Sequence, residues 1–355
     1  MRRLFLLALV PVVAFAQSNP GEWPSYHRDL AASRYSPLDQ INRDNVSKLA
    51  IAWTWKPDSS DQPLEYKNEN TPIMVGGVLY VTTGTHRGVA AIDAATGAEK
   101  WRWRWDDSPV RFSNAPRQGA GRGVGYWTDG RDARIFVTTP GFFLVALDAK
   151  TGKPVESFGK SGFIDLKQQL GVPINLDSAE IGASSPPMVF ENVVVIGPAL
   201  REGSRPVSKT NVPGRVMAFD AKTGALKWRF NTIPMKGEFG YDTWLDGSAD
   251  FTGNTGVWAP MSLDAKRGWL FLPVEGATGD YYGATVRAMI FFHPRSWRST
   301  CAQASASGTI RSSITMCGTA TIPRRRFWPT SPWTAAASKR WCSSRSNRLR
   351  MCSIA

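Results

Sequence analysis

Polar and apolar positions along this chain fall into short strand-like runs rather than helical stripes. Val78 to Thr83, Arg134 to Thr139 and Val193 to Gly197 are each rich in β-branched and apolar residues. The same turn signature follows each of them. Residues 91–101 read A-x-D-x-x-T-G-x-x-x-W, and residues 218–228 repeat the pattern in full. A third copy, Ala146 to Gly152, has Glu156 where the tryptophan is due, and Ser262 to Gly268 is a degraded fourth. The pattern predicts a strand, a tight turn and a second strand. Aspartate caps the turn by accepting from backbone N–H groups, glycine takes the positive φ of the reversal, and tryptophan covers the edge between adjacent sheets. Copies 44 to 72 residues apart suit a four-stranded unit with insertions. Radial stacking of such units buries both faces of each sheet, so the repeat predicts an all-β fold of the β-propeller type.

The amino terminus has a different pattern. Met1-Arg2-Arg3 precedes an apolar run from Leu4 to Phe15 that ends in Ala14-Phe15-Ala16. A charged start, a hydrophobic stretch and small residues at the cut site predict a signal peptide over 1–16. The run is too short to span a bilayer comfortably. A periplasmic or secreted protein follows, with no transmembrane span after signal cleavage.

Composition changes the picture at one place. The 355 residues carry a net charge of +14, which invites a nucleic-acid reading. Residues 281–355, however, hold twelve Lys and Arg and no Asp or Glu, leaving 31 basic against 29 acidic residues in 1–280. The basic excess belongs to the tail and not to a phosphate-tracking face, so no nucleic-acid partner is expected. All four cysteines, Cys301, Cys317, Cys342 and Cys352, lie in the same tail. Their spacing matches no zinc pattern, and the front of the chain cannot depend on disulfides.

Several segments, together with the repeat, resemble the quinoprotein dehydrogenases. They are Trp23-Pro24-Ser25-Tyr26, Tyr35 to Asn42, Gly253-Asn254-Thr255-Gly256-Val257-Trp258-Ala259-Pro260, and Leu272-Pro273-Val274-Glu275 leading to Thr278 to Gly283. The resemblance implies an eight-bladed-type β-propeller using pyrroloquinoline quinone and usually Ca2+ to oxidise a small-molecule alcohol or sugar. A quinone or cytochrome would accept the electrons. Such a cofactor, a flat o-quinone with three carboxylates, needs an aromatic floor, cationic and hydroxyl partners, and a divalent ion beside its quinone oxygens.

Carried over residue by residue, the resemblance implies cofactor binding by Glu69, Arg122, Ser184 and Trp258, and calcium binding by Glu202. Arg122, in Gly121-Arg122-Gly123, would pair with a cofactor carboxylate, a task its planar fork suits better than a lysine. Trp258 would stack under the quinone, Ser184 would supply a hydroxyl, and Glu69 would sit near the cofactor. The context of Glu202, Ala199-Leu200-Arg201-Glu202-Gly203, departs from the family's glycine-rich form.

Two further departures bear on activity. The stretch 112–120 lacks the adjacent cysteines of the alcohol-oxidising branch, which tilts the resemblance towards the membrane glucose dehydrogenase branch. The family's catalytic aspartate lies in a His-Asp-x-Trp-Asp motif that this sequence does not contain. After Gly283 the periodicity, the acids and the turn motif vanish together. With suitable synonymous codons, the neighbouring reading frame of Arg295 to Gly318 can spell VLALDLRTGKRIWHYQVVHHDVWD, which restores both motifs. The expectation is therefore a signal peptide (1–16), a partial quinoprotein propeller of about half the blades (17–283) and a frameshifted, disordered tail (284–355). No catalytic residue is assigned, and the chain is expected to be an inactive fragment of a quinone-dependent dehydrogenase. The alternative is a non-enzymatic periplasmic propeller scaffold in outer-membrane protein assembly, which has no need of a shared cofactor cavity.

Overall fold

The computed structural model describes residues 20–57, 69–201, 211–277, 297–300 and 349–354. Three four-stranded antiparallel sheets follow one another along the chain, each paired in sequence order. The first comprises Ile73–Val75, Val78–Thr83, Gly88–Asp93 and Glu99–Trp103. The second comprises Gly125–Thr128, Ala133–Thr138, Phe143–Asp148 and Phe163–Asp165. The third comprises Met188–Phe190, Val193–Ile196, Val216–Asp220 and Leu226–Phe230. A fourth, three-stranded sheet pairs Ser262–Asp264, Trp269–Leu272 and Trp297–Thr300.

Alternation along each strand decides which neighbour a side chain meets, because successive residues point to opposite faces. Ile135 and Val137 pack with Val89 and Ala91 of the first sheet. Phe136, between them in sequence, packs with Val194, Met217 and Phe219 of the third. Val195, Val216 and Ala218 then meet Leu263, Leu270 and Leu272 of the fourth. The two middle sheets are thus buried on both faces.

The repeated turns close as their residue types require. Asp93 Oδ1 accepts from the backbone N–H of Ala95 and Thr96, and Gly97 sits at φ +74°. Asp148 and Asp220 accept in the same way, with Gly152 at +72° and Gly224 at +76°. Tryptophan from the preceding unit lies on the glycine. A Cβ on Gly97 would come within 2.6 Å of the Trp53 ring, and one on Gly152 within 2.5 Å of Trp101. Each indole also donates across the junction, Trp53 to the Ala94 carbonyl and Trp101 to that of Ala149.

At two points the sequence expectation is corrected. The expected fold was an incomplete eight-bladed-type β-propeller with a disordered tail. Among the described residues the strands form separate open sheets, and none closes or curls on itself. The repeat encodes a local meander whose bonds lie within one unit. Closure needs pairing between segments far apart in the chain, which the repeat does not specify. In the tail, Trp297–Thr300 and Leu349–Ile354 are strands, the second paired with Leu49–Trp55. The signal peptide falls outside the described residues, and among those described no helix is long and apolar enough to cross a membrane.

Candidate functional site

The loops entering the four sheets, one residue from each, bring four of the five sequence-derived site residues together. Arg122 lies on a glycine-rich loop just before the second sheet. Gly121 and Gly123 have positive φ, and a Cβ on either would meet the Ser184 or the Thr71 carbonyl oxygen at about 3 Å. Glycine therefore lets this loop lie flat against its neighbours. Backbone bonds hold it on both sides, from Arg122 N to the Ser184 carbonyl (2.9 Å) and from Thr71 N to the Arg122 carbonyl (3.2 Å).

The guanidinium of Arg122 is the hub. Its Nη2 is 2.6 Å from Glu69 Oε2, its Nη1 donates to Ser184 Oγ at 2.9 Å, and its carbon lies 5.1 Å from the centre of the Trp258 ring. Ser184 Oγ donates in turn to the Trp258 carbonyl (3.4 Å), as does Ser185 Oγ (2.5 Å). Both serines are buried, whereas Trp258 keeps 36 % of its surface exposed. The loop carrying it is strained, with Asn254 and Thr255 at φ +59° and +56°. Left-handed backbone at a β-branched residue persists only where its surroundings fix it. Here the Thr255 hydroxyl meets that of Thr232 at 2.6 Å.

Arg87 supports this arrangement and was not singled out from sequence. Fully buried, it donates to the carbonyls of Arg117, Gly119, Thr138 and Ala183 at 2.6–3.0 Å. It thereby ties the Arg122 loop and the strand end before Ser184 to the first sheet. Its acceptors lie 30 to 96 residues away, so no local motif betrays it.

Chemically, the cluster offers a cationic fork, held by the Ser184 hydroxyl, and a partly exposed aromatic face to a planar anion. That set fits a flat polycarboxylate. A calcium ion finds less support. Glu202 falls outside the described residues, and among those described no group of three or more His, Cys, Asp or Glu could hold a metal.

Residues 23–291 match the family described as "Glucose/ethanol/alcohol dehydrogenase, beta-propeller domain". The chain belongs to that family. In this chain the described residues form separate open sheets. Among curated relatives, the chain is similar to the glycerol dehydrogenase large subunit of Gluconobacter thailandicus, at 31 % identity over 78 % of this chain and 37 % of that protein. It is also 30 % identical to the quinoprotein glucose dehydrogenase of Escherichia coli (strain K12), over 77 % of this chain and 34 % of that one. The chain spans about a third of the length of these relatives. A solved quinohemoprotein alcohol dehydrogenase of Pseudomonas putida superposes with a TM-score of 0.68 at 26 % identity, covering 83 % of this chain and 40 % of that one. Quinoprotein membership implies pyrroloquinoline quinone as the cofactor, often with calcium.

Proposed function

We propose that this chain carries the quinone cradle of a pyrroloquinoline-quinone-dependent dehydrogenase that oxidises an alcohol or sugar hydroxyl. The observation that carries the reading is the convergence of Glu69, Ser184 and Trp258 on the Arg122 guanidinium. When bound, the quinone accepts hydride from the hydroxyl-bearing carbon of the substrate. Arg122 would meet a cofactor carboxylate with two N–H groups, in the planar geometry that a lysine lacks. Ser184 holds the fork in that orientation, and the exposed Trp258 face is the floor on which a flat ring stacks. Glu69, ion-paired with Arg122, keeps the guanidinium in place before the ligand arrives.

Proton removal from the substrate needs a carboxylate base within hydrogen-bond reach. The His-Asp-x-Trp-Asp motif that supplies it in the family is absent from these 355 residues. We propose that the chain by itself is a cofactor-binding unit without turnover, and that residues 284–355 are a frameshifted segment, because with suitable synonymous codons the neighbouring frame of Arg295 to Gly318 can spell the motif. Electrons of the active enzyme would pass to a quinone or cytochrome in the periplasm.

The test is to titrate the full chain with pyrroloquinoline quinone and calcium and follow tryptophan fluorescence. Quenching is expected, weakened about tenfold or more by Arg122→Gln, which corresponds to one charge-assisted hydrogen bond. Dye reduction with glucose or ethanol should be absent. Quenching that Arg122→Gln leaves unchanged would remove the cradle from this site.

A further inference from the structure

A cavity of about 820 Å3 lies between the amino-terminal segment 24–31 and residues 124–126, 186–189 and 260–265. Its size falls in the range of small-molecule sites, roughly 300–1,000 Å3. Arg122, Ser184 and Trp258 do not line it. Its walls are mostly apolar, with Tyr26, Leu30, Tyr126, Met188, Met261 and Phe271 among them.

Two polar atoms of the lining residues do not fit an apolar cavity. Ser25 Oγ and Arg28 Nε are buried and make no hydrogen bond among the described residues. Their polar neighbours are engaged elsewhere, and Asp29, which feels the Arg28 charge, does not hydrogen-bond its Nε. Asp29 accepts from Ser33 N at 2.9 Å, Asp264 is ion-paired with Arg267 at 2.6 Å, and His27 Nδ1 accepts from Arg34 Nε at 2.9 Å. Burial and the Arg34 charge hold the His27 pKa below its usual value, so that ring adds no cation. Arg28 itself sits at φ +73°, a conformation that a side-chain-bearing residue keeps only under constraint. Backbone bonds from Arg28 N to the Ser25 carbonyl and from Leu263 N to the Leu30 carbonyl pin the segment at both ends. A buried donor without an acceptor costs free energy, which an anionic acceptor recovers.

We propose that this cavity binds an aromatic monocarboxylic acid, with its ring among Tyr26, Tyr126 and Phe271 and its carboxylate at Arg28 and Ser25. Calorimetric titration of the full chain with 3-phenylpropionate and with 3-phenylpropanol tests it. The acid should bind about tenfold or more tightly than the alcohol, as expected for a charge-assisted hydrogen bond. Arg28→Met should abolish that difference, and Ser25→Ala, a milder change that keeps the fold, should reduce it about threefold. Arg122→Gln should leave it intact. Equal affinity for the two probes, binding of neither, an acid affinity unchanged in both Arg28→Met and Ser25→Ala, or one weakened by Arg122→Gln would each overturn the proposal.

Discussion

Arg111 and Arg122 lie close in sequence and are built from the same parts: a guanidinium, a carboxylate and an aromatic ring. Arg111, in the short helix Pro109–Ser113, has its Nη2 2.8 Å from Asp165 and its Nε 3.4 Å from Asp177, with the Phe143 ring centre 4.7 Å away. Asp165 is itself held by Lys167 N and Gln168 Nε2 and is only 13 % exposed. Arg122 instead pairs with a Glu69 that is 34 % exposed and lies on a tryptophan that is 36 % exposed. The chain closes over the Arg111–Asp165 pair and the Phe143 side of the first cluster, with only Asp177 at the surface, and leaves the aromatic face of the second open. Cation, acid and ring together do not mark a binding site; the unfilled face does.

The largest expected effect breaks the first cluster. Arg111→Met strips a nearly buried aspartate of its counter-ion, and removing one partner of such a pair costs about 3–5 kcal/mol. Urea unfolding should show that loss, while the folded fraction keeps its affinity for pyrroloquinoline quinone. A variant that stayed stable but lost the cofactor would make Arg111 part of the site and dissolve the contrast.

A smaller effect sharpens it through pH. Lys167 is buried beside Arg111 and donates to the Ala179 carbonyl at 2.8 Å. Burial, helped by the Arg111 charge, pushes its pKa from 10.5 down to about 8. Below pH 8 both folded and unfolded chains carry the proton, and the fold bears the full cost of a buried ammonium. Between about 8 and 10.5 the unfolded chain binds more protons, so stability should rise with pH across that window. Denaturant midpoints should show this rise in the wild type and a flatter profile in Lys167→Met. The same slope in both would mean that the lysine is not the group responsible.

How much of this was legible in the sequence follows from how far each interaction reaches. The turns at Asp93, Asp148 and Asp220 were readable because their bonds close within five residues. The Glu69, Arg122, Ser184 and Trp258 set came from the resemblance to the quinoprotein dehydrogenases, and no local motif carries the meeting of the other three at the Arg122 guanidinium. Arg87 and Arg111 were invisible, since their partners lie tens of residues away. Glu156, which stands where the repeat calls for tryptophan, hid a substitution in space. The turn at Gly224 is packed by Gly159 and the Ile164 side chain instead of an indole. The open sheets and the two tail strands escaped for a related reason. Backbone pairing needs neither a repeat nor an alternating pattern, and closure depends on distant segments that no local signature encodes.

The smallest expected effect asks what Ser184 does for Arg122. Its hydroxyl accepts from Nη1 and donates to the Trp258 carbonyl, and that carbonyl keeps Ser185 when Ser184 is lost. Arg122 keeps Glu69 and the indole face. Ser184→Ala therefore removes one orienting bond, worth ~1 kcal/mol, and cofactor affinity measured by tryptophan quenching should fall by about fivefold. Stability should move by about 1 kcal/mol or less, because both partners of the two bonds lost stay engaged, the Trp258 carbonyl with Ser185 and Arg122 with Glu69. If Ser184→Ala instead weakens binding as much as Arg122→Gln does, the hydroxyl must contact the ligand directly, since an orienting bond cannot be worth more than the fork it orients.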